Sequence, residues 1–258
     1  MAKFLGLGNA LVDILVQLPN DAKLFELNLP KGSMQLVDAD RMQSILAQTE
    51  GLPRTLAAGG SAANTIHGLA NLGMSTAFIG KVGDDSFGQA FANDMEQNGI
   101  TPIMLKGNAE SGRALAFITP DSERTFAVYL GAAIEMTAND LAAPLFSGYT
   151  HFHIEGYLVQ NQNLIRRAVE LAKENGCTIS LDLASYNVVE ENKAFLREIV
   201  EKYVDIVFAN EEEAKAFTGK LPTDALKELG TLAEIAVVKL GADGSLIKQG
   251  DNIYEVGV

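Results

Sequence analysis

Apolar runs alternate with helical patterns along most of this chain, and that alternation restricts the fold more than any single residue does. Strand patterns fall at 3–8, 54–58, 76–82, 149–154, 177–182, 204–208 and 234–240, with helical stretches near 60–72, 86–98, 161–175, 190–202 and 210–218. In 161–175 the residues Leu164, Ile165, Ala168, Val169, Leu171 and Ala172 make one apolar stripe, and Asn175-Gly176 ends it as a C-cap. Strands that alternate with helices predict βαβ units: an α/β fold with a doubly wound, mainly parallel sheet and helices on both faces. A chain of 258 residues is long enough for one such domain, 1–258.

Three segments break the alternation. Residues 12–18, 33–37 and 102–130 carry strand-like composition without matching helices. Ala114–Thr119 and Thr125–Leu130 flank Pro120-Asp121-Ser122-Glu123, which predicts a hairpin. These segments form either a small separate sheet or edge strands of the main one. A separate sheet commonly serves as a lid or as the pairing face of a homodimer.

Composition excludes some partners. A net charge of −13 argues against binding a nucleic-acid backbone, which relies on Lys and Arg, but leaves room for a single nucleotide at a local anion site. The one cysteine, Cys177, opens an apolar strand and reads as a core thiol. Gly6, Gly8, Asn9 and Asp13 interrupt the first apolar run, so neither a signal peptide nor a membrane span is expected, and a cytoplasmic protein is the default.

The chemistry gathers at strand-to-helix turns. Gly59-Gly60-Ser61-Ala62-Ala63-Asn64 follows a strand and opens a helix, where paired glycines admit close backbone approach and free N–H groups favour a polar ligand. A plain packing turn is the competing account. Asp13 stands alone among apolar residues, and an unpaired carboxylate there must face either a cleft or solvent. Asn210-Glu211-Glu212-Glu213 follows an apolar strand: Asn210 would cap the helix, and Glu213 could organise Mg2+ through water. Val237-Val238-Lys239-Leu240-Gly241-Ala242-Asp243-Gly244 is either a nucleotide-side glycine turn or an ordinary one. Gly6-Leu7-Gly8 is a defective dinucleotide fingerprint, and neither Gly80-Lys81 nor Gly219-Lys220 continues as a Walker A sequence. His151 and His153 share one strand face and read as packed or cleft-rim residues rather than metal ligands, while His67 has no evident partner. Arg113 and Arg124, on lid-strand candidates, either contact substrate or phosphate or are solvated hairpin charges, the second being the preferred reading.

In this order the elements resemble the ribokinase-like, or PfkB, family of sugar and nucleoside kinases. Gly59, Gly60, Ala62, Asn64, Gly73 and Gly83 match its N-terminal signature, Asn210–Glu213 its Asn-x-x-Glu motif, and Leu240–Gly244 its nucleotide-side turn. Gly8–Asp13 and Gly59–Ile66 are similar to the adenosine-kinase-like branch. The resemblance implies ATP-dependent phosphorylation of a primary hydroxyl on a sugar or nucleoside, with ATP and Mg2+ as cofactors. It further implies that Asp13, Gly59, Gly60, Ser61 and Asn64 hold the acceptor with Gln35 from the lid nearby. Asn210, Lys239, Gly241 and Gly244 would serve the nucleotide, and Glu213 the Mg2+ through water. Purine-site residues match poorly, so the base, or its absence, stays open. The family's Gly-Ala-Gly-Asp signature, with its catalytic base and anion hole, is expected beyond Val258 with the C-terminal part of the fold, so the catalytic residue is unknown. The alternative is a ligand-binding fragment that lacks both. The defective fingerprint makes a Rossmann dehydrogenase a poor third account.

Overall fold

The computed structural model describes residues 2–258. In chain order the elements are β1 (Lys3–Leu7), β2 (Leu11–Gln17), α1 (Ala22–Glu26), β3 (Met34–Leu36), α2 (Ala39–Gln48), β4 (Arg54–Gly59), α3 (Ser61–Asn71), β5 (Ser75–Val82) and α4 (Ser86–Gln97). There follow β6 (Ile100–Lys106), β7 (Gly112–Ile118), β8 (Arg124–Tyr129), β9 (His151–Glu155), α5 (Gln162–Glu174), β10 (Thr178–Asp182) and α6 (Tyr186–Tyr203). The last are β11 (Ile206–Asn210), α7 (Glu211–Thr218), α8 (Pro222–Leu232), β12 (Ile235–Lys239), β13 (Ser245–Gln249) and β14 (Asn252–Val256). The chain divides into two compact units, one built from residues up to Gly8, Leu72–Ala77 and Thr137–Val258, the other from Asn9–Asn71 and Phe78–Met136.

The first unit is α/β. Strands β1, β9, β10, β11 and β12 pair in parallel in the order β12-β11-β10-β9-β1, and β13 and β14 extend the β12 edge as an antiparallel meander. One row of strand side chains is fully buried: Phe152, Ile154, Ile179, Leu181, Val207, Ala209, Ala236 and Val238. The α5 stripe is buried too, and each of its Leu, Ile and Val side chains contributes roughly 1.5–3 kcal/mol on leaving water. Asn161 caps α5 through the Leu164 N–H, and Gly176, at φ 75°, takes the left-handed position after it. The opposite row on β10 and β11 (Thr178, Ser180, Asp182; Ile206, Phe208, Asn210) is half-buried. Asp182 and Asn210 in that row close their strands.

The second unit carries a separate five-stranded sheet, in the order β3-β8-β7-β2-β4. Segments 12–18 and 33–37 become β2 and β3, and β7–β8 is the expected hairpin, with Ser122 at φ 66° in its turn. Two assignments change. The run 54–58 is β4, antiparallel to β2 in this small sheet rather than a strand of the parallel one. Arg54, Thr55 and Leu56 are exposed, which suits an edge strand and not one covered on both faces. The first strand of 102–130, β6, lies beside β5 instead of in the small sheet. Val12, Ile14, Val16, Leu115, Phe117 and Ala127 form the buried face, and Met42, Ile45, Phe91 and Met95 of α2 and α4 are buried with them. Among the described residues no helix is long and apolar enough to cross a membrane.

Candidate active site

The turn from β4 into α3 is built around Asp13. Register places Asp13 opposite Ala57, with Leu11 opposite Gly59. A Cβ on Gly59 would collide with Cγ and both carboxylate oxygens of Asp13, so the glycine is there because the carboxylate lies over it. Gly60, at φ 102°, faces the Asn9 carbonyl so closely that a Cβ would strike it. The Gly60 carbonyl accepts the Asn64 N–H at 2.9 Å, which starts α3. The Asp13 carboxylate accepts no hydrogen bond from the described residues, and burial without compensation pushes its pKa from 3.8 up to about 6. Ser61 is half-buried and Asn64 exposed on the first turn of α3.

Gln35 belongs elsewhere. Across the small sheet it aligns with Ala127, Leu115, Ile14 and Leu56, whereas Asp13 aligns with Ala114, Val128 and Leu36. The two side chains therefore fall on opposite faces, because β3 is read one residue out of parity with the Asp13 row.

In the other unit four strands end on polar residues at one rim: Glu155 closes β9, Asp182 β10, Asn210 β11 and Lys239 β12. All four ends lie where open α/β sheets bind ligands, outside the carboxyl ends of parallel strands. Asn210 and Glu213 form a reciprocal capping box. The Asn210 side-chain oxygen accepts the Glu213 N–H, while the Asn210 N–H and Nδ2 each donate to a Glu213 carboxylate oxygen, all at 2.8 Å. Burial raises the Glu213 pKa, with the Asn210 N–H working against it. Asn210→Ala should cost about 1–3 kcal/mol in chemical denaturation, since it removes the cap and leaves a buried carboxylate short of a donor. Lys239 Nζ sits 2.7 Å from Asp182 Oδ2. In the following turn Gly241 takes φ 57° with open space where a Cβ would stand, while at Gly244 that space is filled by the Val256 carbonyl.

The pfkB family carbohydrate kinase profile matches residues 36–257. The chain belongs to the pfkB family of carbohydrate kinases. Among solved structures, the adenosine kinase from Sinorhizobium meliloti is 33% identical, with a TM-score of 0.86 over 99% of this chain and 80% of that one. A probable sugar kinase from Rhizobium etli CFN 42 is 30% identical, with a TM-score of 0.87 over 99% of this chain and 79% of that one. The 5-dehydro-2-deoxygluconokinase of Clostridium perfringens is 30% identical over 72% of this chain and 60% of its own length. The chain thus spans about three fifths of that relative's length.

Several polar residues of this pfkB chain are structural. Asp85 caps α4 through the Gly88 N–H and takes both the N–H and the hydroxyl of Ser111. Burial works to raise its pKa, and these hydrogen bonds outweigh it, so the pKa is lowered. Asp85 therefore pins α4 to the start of β7. Arg113 is not a solvated hairpin charge: it is 2% exposed, lies over the Phe87 and Tyr129 rings, and pairs with Glu110. Its alkyl stem and flat guanidinium let it pack as an apolar side chain would. Arg124 is exposed. His67 has a neighbour after all, with Nε2 3.4 Å from Asp94 Oδ2, the carboxylate that also accepts the Ala58 N–H. His151 stacks on Phe4, and His153 is buried against Ser180 with its pKa lowered by burial to about 4. β1 leads directly into β2, so Gly6-Leu7-Gly8 opens no helix.

Asp182 and Glu155 were missed because each reads as the polar stop of an apolar run. Counting the last residue of every parallel strand as a rim position would have found both. Among the described residues no three His, Cys, Asp or Glu side chains converge to ligate a metal directly. A Mg2+ ion would be held here through water. Each Glu213 oxygen accepts one N–H from Asn210 and keeps a lone pair for metal-bound water, and Mg2+ characteristically retains several waters.

Proposed function

We propose that the protein transfers the γ-phosphoryl group of ATP to a primary hydroxyl of a sugar or nucleoside. The observation that carries this is Asp13: a half-buried carboxylate, unpaired, held over Gly59 at the foot of α3. A fold tolerates such a group where a ligand completes it. Asp13 would accept hydrogen bonds from the acceptor's hydroxyls, with Ser61 and Asn64 adding further ones, Gly59 leaving room for the carboxylate and Gly60 turning the chain into α3. Positioning of this kind is most of what phosphoryl transfer asks of a protein.

On the rim, Lys239 would leave Asp182 for a donor phosphate. Asn210 and Glu213 would fix the waters of Mg2+, which when bound neutralises phosphate charge. ATP would lie against the open space at Gly241.

An ADP-release assay with fructose, ribose and adenosine as acceptors, with and without Mg2+, tests this. Release that depends on one acceptor and on Mg2+ is the expected result. Acceptor binding without any ADP release supports the ligand-binding alternative, and absence of both refutes the assignment.

A further inference from the structure

The turn that carries Gly59 and Gly60 is held from outside by Asp94 of α4. β4 is the edge strand of the small sheet, so every second N–H on it points away from β2. The Ala58 N–H is one of these, and Ala58 is buried, so it needs a partner from the protein. Asp94 Oδ2 supplies it at 3.2 Å. The same oxygen lies 3.4 Å from His67 Nε2, an atom shut off from solvent. Ala58 immediately precedes the glycine pair, and His67 stands in the second turn of α3. One carboxylate oxygen therefore spans both arms of the strand–turn–helix. α4 is a firm base for it: Asp85 caps its start through the Gly88 N–H, and Phe91 and Met95 are buried.

We infer that Asp94 is a positioning residue for acceptor binding. Asp94 and Val12 line one cavity, whereas Asp13, next to Val12 on β2, faces the other side of the sheet. Asp94 therefore acts through the backbone. The Asp13 carboxylate lies over Gly59 with no room for a Cβ between them, so any shift of Ala58–Gly60 moves the floor beneath it. Without the Asp94 oxygen the buried Ala58 N–H must turn to find water, and the two glycines resist that rotation least. The inference rests on the kinase reading above for the role of Asp13, and it adds the residue that holds the turn under it.

Asp94→Ala and Asp94→Asn test it. Alanine suits a helix and removes both contacts, while the asparagine amide oxygen still accepts the Ala58 N–H. The readouts are backbone hydrogen exchange across residues 56–64 and calorimetric titration with adenosine, ribose and fructose. Asp94→Ala should exchange faster at 58–60 and lose roughly ten- to hundredfold in affinity for whichever of the three binds the wild type, with ATP affinity unchanged. Asp94→Asn should restore both. A lower melting temperature with wild-type acceptor affinity in the folded protein means a structural role only, and overturns the inference. So does unchanged exchange in Asp94→Ala, or an Asp94→Asn variant as impaired as Asp94→Ala. Weakened acceptor binding in Asp94→Ala, in a protein that releases no ADP, upholds the inference and fails the kinase reading. Acceptor-dependent ADP release at wild-type KM in Asp94→Ala does the reverse.

Discussion

Asp13→Asn should remove acceptor phosphorylation while making the fold more stable. Loss of the charged hydrogen-bond acceptor misplaces the hydroxyl, and kcat/KM should fall on the order of 10²-fold or more. The stability gain follows from the raised pKa. The folded chain holds the Asp13 proton more tightly than the unfolded one, so wild-type stability falls as pH rises from 3.8 towards about 6 and then levels. The variant has no such fall. The difference in unfolding free energy should open across that window and settle at about 1–2 kcal/mol once solvent screening is allowed for. Urea denaturation from pH 4 to 8 measures it. A variant that is no more stable at pH 8 than at pH 4, relative to wild type, contradicts the burial of an unpaired charge.

Gly59→Ala carries the second large effect. Its Cβ would occupy the space of the Asp13 carboxylate, so the side chain must rotate away and acceptor binding should be lost. The overpacking should cost about 1–3 kcal/mol. Most of that cost should return in the double variant Asp13→Ala/Gly59→Ala, because the three atoms nearest the added Cβ all belong to Asp13, and the pair should be strongly non-additive in a double-mutant cycle. Gly60→Ala should behave differently. It meets the Asn9 carbonyl at φ 102°, and removing Asp13 offers no relief. Additive costs for Gly59→Ala and Asp13→Ala would mean that the glycine answers to something other than the carboxylate.

These two residues show what the sequence carried and where it stopped. The glycine turn, the isolated Asp13 and the Asn210 cap were all legible, because each is a local event: a turn, a desolvated charge, a helix start. The helices missed, α1, α2 and α8, carry weaker signals. The Asp38 cap and the Met42–Ile45 stripe mark α2, and Pro222 with Ala225, Leu226 and Leu229 marks α8, both in segments broken by exposed residues. Sheet membership was not legible. The run 54–58 reads as a strand, but only its pairing with β2 shows that it belongs to the small sheet. Gln35 failed for the same reason. Its proximity to Asp13 is a question of register, and one residue of parity moves a side chain to the other face. The paired glycines also had a different cause from the one expected. Gly59 makes room for Asp13 in the protein itself, and the ligand then meets the carboxylate.

If the Asp13 carboxylate binds acceptor hydroxyls, acceptor binding is linked to its proton. Hydroxyl donation favours the charged carboxylate, so binding should lower a pKa that stands at about 6 in the free protein. Calorimetric titration of acceptor at pH 6, in two buffers of different ionisation enthalpy, should show release of up to about half a proton per acceptor bound. The Asp13→Asn variant should show none. Acceptor binding with no proton release in the wild type, or with equal release in both proteins, would contradict the account.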